Sequence, residues 1–285
     1  MTPDPLYTVL ARARARLAEA GISEAEATID VDLYARTILG WDKARLLVEL
    51  QGPTPESLEP TLSDWIARRL QREPSAYIVG RREFWGLDFT VTPSVLIPRP
   101  ETEFVVDEAV AHMRGVPTPR CADIGTGSGC IAVAVASEVP TGRFIATDVS
   151  EEALSVARAN AVRHNVADRI EFVATSYLDG VEGTFHVITA NPPYVKDGDK
   201  PALARDVRHE PEVALFGGTE GLRDITGVLD AAATALLPGG WLVMEFGYGQ
   251  EPHIEMLVQA RPALLLERVC ADLQGIARTA IIQRR

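Results

Sequence analysis

Apolar positions along the first quarter of the chain recur every three or four residues. Leu6, Val9, Leu10, Ala13 and Leu17 share one face of a helix that Gly21 closes. Ser23-Glu24-Ala25-Glu26 has the spacing of a capping box, and it opens a second helix with Ile29, Leu33 and Ile38 on its face and Gly40 at its end. Further helices are expected over 42–49 and 61–72, with Pro53, Pro55 and Pro60 punctuating the loop between them. Residues 1–75 therefore predict a small helical bundle. It carries no chemical motif, so its expected role is partner binding or simple structure.

From Ala76 the pattern changes. Residues 77–80 and 84–91 are aromatic and β-branched, with Arg81 and Arg82 between them, which predicts a β-hairpin linker over 76–98. Pro100 stands at a helix start, with acidic residues in the first turn to complement the helix dipole, and that helix runs to about Met113. Beyond Pro119, strands and helices alternate. Strands are expected over 121–124, 143–147, 170–174, 185–190 and 241–246, and helices over 130–138 and 151–164. Two last strands, 264–269 and 277–283, would close the sheet, one of them reversed. Residues 99–285 thus predict an α/β domain with a doubly wound, Rossmann-like sheet.

Composition narrows the function classes. A chain of 285 residues, 46% apolar, can bury cores for two domains. Its net charge of −12 argues against nucleic-acid binding, which rests on clustered lysine and arginine. Arg68, Arg69, Arg72, Arg81 and Arg82 are the candidates for a basic patch, and they read equally well as solvated side chains. The first residues lack a basic stretch followed by an apolar one, and no run of about 18 apolar residues occurs, so a cytoplasmic chain without membrane contact is expected. Cys121, Cys130 and Cys270 form no C-x-x-C pair and the histidines no helical pair, so neither disulfides nor a metal are expected.

The candidate chemistry lies at strand ends. Asn191-Pro192-Pro193-Tyr194 follows the apolar run 185–190, where open α/β sheets place their ligand crevice. Two prolines stiffen the backbone, and an asparagine amide offers one acceptor and two donors without titrating. That suits holding a planar amide or amino group, with Tyr194 laid over it; a plain strand-ending turn is the alternative. Gly125, Gly127 and Gly129 follow the first strand of the sheet, where backbone without side chains approaches a ligand at a helix N-terminus. A dinucleotide fingerprint would want glycine at 130, which is Cys130, so the spacing fits S-adenosylmethionine better than NAD. Asp148 stands 19 positions after Gly129 and suits both ribose hydroxyls of a nucleoside; helix N-capping by Asp148 or Ser150 is the alternative, and the two roles can coexist. Ser176 and Tyr177, after the third strand, fall where an adenine would lie, although Tyr177 could instead fill the core.

Asp-Ile-Gly-Thr-Gly-Ser-Gly at 123–129, Asp148-Val149-Ser150 and Asn191 to Tyr194 together resemble class I S-adenosylmethionine-dependent methyltransferases acting on an amide or amino nitrogen. Leu96-Ile97-Pro98-Arg99-Pro100-Glu101-Thr102-Glu103, Glu210-Pro211 with Ala214-Leu215, Gly217 through Gly221-Leu222, and Glu245-Phe246-Gly247 with Gln250 narrow the likeness. Over nearly the whole chain it is similar to the bacterial release-factor glutamine methyltransferases, the PrmC/HemK family. The resemblance implies S-adenosylmethionine contacts from Asp123, Gly125, Thr126, Gly127, Ser128, Gly129, Asp148, Ser176, Tyr177 and Asn191. It implies substrate contacts and catalysis from Asn191, Pro192, Pro193 and Tyr194. Ser176 departs from the aspartate that the family usually carries there. The implied activity is methylation of N5 in the Gly-Gly-Gln glutamine of class I peptide chain release factors, in translation termination, by a monomer. A sister family modifying a ribosomal-protein glutamine and an adenine-N6 methyltransferase are the alternatives.

Overall fold

The structure, a computed structural model, describes residues 4–285; the first three residues of the expected 1–75 segment lie outside them. The chain divides into two compact units, one comprising the chain up to Gly80 with Arg205–His209, the other Arg81–Ala204 with Glu210–Arg285.

In the first unit the helices are α1 (Leu6–Glu19), α2 (Glu24–Leu39), α3 (Lys43–Glu49), α4 (Leu58–Leu70) and α5 (Ser75–Val79). Local chemistry sets their ends: the Ser23 hydroxyl accepts the Glu26 N–H at 3.2 Å, Asp42 accepts that of Arg45 at 2.7 Å, and Gly40 closes α2 at φ 65°. Leu6, Leu10, Ala13 and Leu17 are buried as expected and meet Tyr34, Leu58, Leu62 and Ile66 in one core.

Three expectations fail here. Ile29 does not face the core of α2 but is 68% exposed; the buried stripe is Ala27, Asp30, Val31, Tyr34 and Ala35. The helix is turned so that Asp30 meets Arg69, whose Nε donates to its carboxylate at 2.7 Å, while the Ser75 hydroxyl donates at 2.5 Å. Arg69 is itself 2% exposed and pairs also with Glu26 and, at 2.8 Å, with Asp206. It therefore cannot belong to a basic surface patch. Residues 77–79, expected to be extended, form α5 instead, between Pro74 and a left-handed Gly80 at φ 77°.

In the second unit the hairpin is real but shifted: β1 (Arg81–Phe84) pairs with β2 (Leu87–Thr90) across Trp85-Gly86. Pro100–Thr102 forms one 3-10 turn leading into α6 (Glu103–Met113). Then come β3 (Arg120–Ile124), α7 (Cys130–Glu138), β4 (Arg143–Asp148), α8 (Glu151–Arg163), β5 (Ile170–Ala174) and β6 (Phe185–Ala190). Short 3-10 turns within 197–214 precede α9 (Arg223–Ala235), β7 (Leu236–Glu245), α10 (Glu251–Gln259), β8 (Leu264–Ala271) and β9 (Ala277–Arg284). Helices α9 and α10 are additional to the expected ones.

The strands form one sheet in the order β5-β4-β3-β6-β7-β9-β8. β3 to β7 run parallel to their neighbours, and β9 lies antiparallel between β7 and β8, which is the expected reversed strand. Successive residues serve opposite faces: Cys121, Val187 and Val243 pack with α6 and α7, whereas Ala122, Ile188, Leu242 and Met244 pack with α9 and α10. The sheet is thus buried on both sides, and its order reverses between β3 and β6. That leaves a crevice at their C-terminal ends.

Candidate active site

A cavity of about 220 Å3 opens at that switch point. One wall is the glycine turn with Asp148, a second is Ser176, Tyr177 and Asp224, and a third is Asn191, Pro192 and Pro193. The irregular segment and 3-10 turn leading into α6 supply the fourth through Leu96, Pro98, Arg99 and Thr102.

The turn after β3 is built for close approach. Gly125 and Gly127 take φ of 69° and 54°, and a Cβ on either would meet nothing within 4 Å, so open space lies above this backbone. The Thr126 N–H donates to the Thr147 carbonyl at 2.8 Å, which ties the turn to β4. Asp123 lies beneath: it is 2% exposed, does not line the cavity, and accepts the Thr126 and Thr189 hydroxyls at 2.6 and 2.8 Å. Burial pushes its carboxyl up to about 6, against the opposing effect of those hydrogen bonds. Gly129 likewise stands off the cavity wall. Its φ is 80° and a Cβ would come within 3.0 Å of the Ala157 Cβ, so this glycine serves the packing of α7 on α8. Asp123, bonded to Thr126 and Thr189, and Gly129, packed on α8, thus hold the glycine turn in place.

Asp148 does line the cavity. One carboxylate oxygen accepts the Gly127 N–H and the other the Ser150 N–H, both at 2.9 Å, which leaves lone pairs on each for further donors. Burial raises its carboxyl above the ordinary value. Ser150, not Asp148, caps α8, its hydroxyl accepting the Ala153 N–H at 3.1 Å. Tyr177 adopts φ 50°, its hydroxyl donates to Asp224 at 3.0 Å, and its ring lies where a Cβ on Gly227 would be, so a glycine in α9 makes room for it. The ring therefore packs on α9 while its edge reaches the cavity.

At the end of β6, the Asn191 side-chain nitrogen donates to the Thr102 hydroxyl at 3.1 Å. Tyr194, which follows Pro193 directly, is half-buried, and its hydroxyl donates to Glu245 at 3.1 Å. Burial, and next the Glu245 charge, push its phenol up. The loop after it is held by glycines: a Cβ on Gly217 or Gly221 would run into the Pro193 or Tyr194 carbonyl oxygen.

Other residues of the site were quoted by sequence without a role. Glu210, 4% exposed, accepts the Ile97 N–H at 3.1 Å and the Arg99 guanidinium, so it pins the fourth wall and neutralises its cation. Gln250 donates to the Tyr194 carbonyl at 3.1 Å and accepts the Gly247 N–H at 2.8 Å. Asn160 carried no signal at all. Fully buried in α8, its amide bonds both backbone groups of Thr90 at 2.8 and 3.0 Å and the Ser128 carbonyl at 2.9 Å, which fastens the hairpin to the glycine turn.

A nucleoside that bears a carboxylate fits these groups. The glycine backbone leaves space at the start of α7 for a carboxylate, Asp148 offers acceptors for two hydroxyls, and Ser176 and Tyr177 line the side next to it.

Comparison with known proteins agrees. The family described as PrmC N-terminal domain matches residues 8–80, and the methyltransferase small domain matches 106–218. The release factor glutamine methyltransferase of Bradyrhizobium diazoefficiens is 40% identical over 93% of this chain and 90% of its own length. That of Moorella thermoacetica is 37% identical over 98% of this chain and 99% of its own. Among solved structures, a methyltransferase from Pyrococcus furiosus matches the fold with a TM-score of 0.53 and 23% identity, over 78% of this chain and 98% of that one. With a class I methyltransferase sheet and relatives matched almost end to end, this chain belongs to the release factor glutamine methyltransferase family.

Proposed function

We propose that this protein methylates N5 of the glutamine in the Gly-Gly-Gln motif of class I peptide chain release factors, with S-adenosylmethionine as methyl donor. One observation carries the reading: a single cavity joins the glycine turn and Asp148 to Asn191-Pro192-Pro193. A nucleoside-sized site thereby faces a rigid amide-binding corner. S-adenosylmethionine, when bound, supplies an electrophilic methyl group on a sulfonium. In this reading Gly125, Thr126, Gly127 and Ser128 cradle its amino-acid end, Asp148 its ribose, and Ser176 and Tyr177 its base.

A glutamine nitrogen is a weak nucleophile, because its lone pair is delocalised into the carbonyl. The Asn191 carbonyl oxygen accepts one amide N–H and the Pro192 carbonyl the other, which fixes the nitrogen toward the cavity. Both bonds strengthen as positive charge grows on nitrogen, so they favour the transition state over the ground state. Orientation of this kind can supply roughly 7–11 kcal/mol in favourable cases. No general base is required beforehand, since the methylated nitrogen is acidic enough to release its proton to water. Tyr194, bonded to Glu245, braces the corner from behind. The helical unit, which carries no such site, serves as the surface that grips the release factor outside the loop. A loop alone offers far less than the roughly 800 Å2 per partner of a specific complex.

The test is incubation with methyl-labelled S-adenosylmethionine and purified release factor, ribosomal proteins or DNA in parallel, with peptide mapping of the label. Label on the Gly-Gly-Gln glutamine is expected. Label confined to a ribosomal protein or to adenine would overturn the assignment.

A further inference from the structure

Behind the amide-binding corner lies a carboxylate with no partner of opposite charge in hydrogen-bond contact. Glu245, at the end of β7, is 2% exposed. It accepts two hydroxyls, that of Thr102 at 2.6 Å on one oxygen and that of Tyr194 at 3.1 Å on the other. Thr102 is also 2% exposed, and its oxygen receives the Asn191 amide nitrogen at 3.1 Å.

The direction of these bonds is fixed by proton count. A hydroxyl has one proton, and Thr102 spends it on Glu245, where a 2.6 Å O–H to carboxylate bond lies in the range of strong charge-assisted ones. Towards Asn191 it can therefore only accept. An Asn191 amide turned end for end would set two oxygens against each other without a proton between them. The Thr102–Glu245 bond thus selects one of two amide orientations that are otherwise nearly equal in shape. The selected one turns the Asn191 carbonyl oxygen away from Thr102, in a residue that lines the cavity.

We infer that Thr102 and Glu245 are positioning residues, a hydrogen-bond relay that holds the Asn191 carbonyl oxygen toward the methyl-accepting nitrogen. The inference rests on the reading above that this oxygen receives a substrate N–H. The two ends of the relay come from distant parts of the chain, the turn before α6 and the end of β7, and Tyr194 attaches the same carboxylate to the rigid corner itself. A buried carboxylate without a hydrogen-bonded cation is costly, and burial raises the Glu245 carboxyl above its usual range against the opposing effect of the Thr102 and Tyr194 hydroxyls and the Arg278 charge. A stretch with a purely packing role would be filled more favourably by apolar side chains.

Thr102→Val keeps the shape and removes the acceptor; Thr102→Ser restores it. In single-turnover methylation of release factor, the valine variant should be slower by at least about ten-fold and the serine variant by no more than about three-fold. S-adenosylmethionine affinity by calorimetry should be unchanged in both. A second readout needs no substrate: in nitrogen-15 spectra, the Asn191 side-chain amide protons, identified by their loss in Asn191→Ala, should exchange slowly with water in wild type and serine variant and quickly in the valine variant. Should the valine variant fail to fold, Thr102→Ala carries the same expectations. Equal rates in wild type and valine variant, equal losses in serine and valine variants, or unaltered Asn191 proton exchange would overturn the relay. If the wild type leaves release factor unmodified, the proposed function fails, while the exchange measurement still decides the relay.

Discussion

Asn191 and Asp148 sit on opposite walls of one cavity, and their substitutions should part binding from chemistry. Asn191→Ala leaves the glycine turn untouched, so calorimetry should find S-adenosylmethionine affinity retained while kcat falls by about 100-fold or more, as for loss of one preorganised polar contact. Near-normal turnover would make Asn191 a turn residue only. Asp148→Ala should instead weaken the cofactor by about 1.5–3 kcal/mol, the size of hydrogen bonds to a charged group. Unchanged affinity in a folded variant would remove Asp148 from the ribose site. Asp123 acts through pH. Its carboxyl is raised by burial to about 6 from 3.8, so the folded protein holds this proton more tightly than the unfolded chain does. The charged form is the costly one: the penalty is absent below about pH 4, grows through the window from 4 to 6, and is complete above it. Two pH units at about 1.4 kcal/mol each amount to roughly 3 kcal/mol. Urea unfolding of wild type and Asp123→Asn should therefore show the wild type losing about that much stability relative to the variant between pH 4 and 6.5. A constant difference across that range would contradict it.

At the scale of elements, the corner is held by loops as much as by strands. Gly221 has φ 69° and no room for a Cβ beside the Tyr194 carbonyl, whereas Gly275, at φ 79°, has nothing within 4 Å. Both substitutions to alanine carry the left-handed backbone cost of about 1–2 kcal/mol. Only Gly221→Ala also moves the backbone of Tyr194, which Gln250 binds at 3.1 Å. Thermal melts should thus place the two variants within a few degrees of each other or Gly221→Ala somewhat lower, while kcat falls at least ten-fold in Gly221→Ala alone. Equal activity in the two would show that the loop does not set the corner. Sequence could report glycines here, but not which ones are crowded, since crowding depends on residues brought together from 193–194 and 221.

At the scale of the molecule, each unit has its own core, and the first also holds an ion-pair cluster around the buried Arg69. Removing Arg69 would leave Asp30 buried without a cation, together with the partly exposed Glu26 and Asp206, a loss of about 3–5 kcal/mol for broken buried pairs. In Arg69→Met, hydrogen exchange should quicken in α2 and α4 while β3 and β6 keep their protection. If the helical unit grips the release factor, kcat/KM on the intact factor should drop by ten-fold or more, with cofactor affinity and activity on a Gly-Gly-Gln peptide held. Equal losses on protein and peptide would show that the helices only stabilise the enzyme.

The chain alone determined what repeats or is local. Alternating strand and helix patterns, the capping box at Ser23, the glycine turn at 125–129 and the stiff Asn191-Pro192-Pro193-Tyr194 corner follow from periodicity and from the short-range chemistry of a few residues. Those signals survive any packing, because they rest on neighbours within four or five positions. Tertiary structure decided the rest. It turned α2 so that Asp30 rather than Ile29 faces inward, bonded Asp123 to Thr126 and Thr189, packed Gly129 on α8, and joined Tyr194 to Glu245. It also gave Asn160, Thr102 and Glu245 their partners, 70, 89 and 143 positions away. Buried polar groups must find partners wherever the fold brings them, and no sequence window of a few residues holds that information.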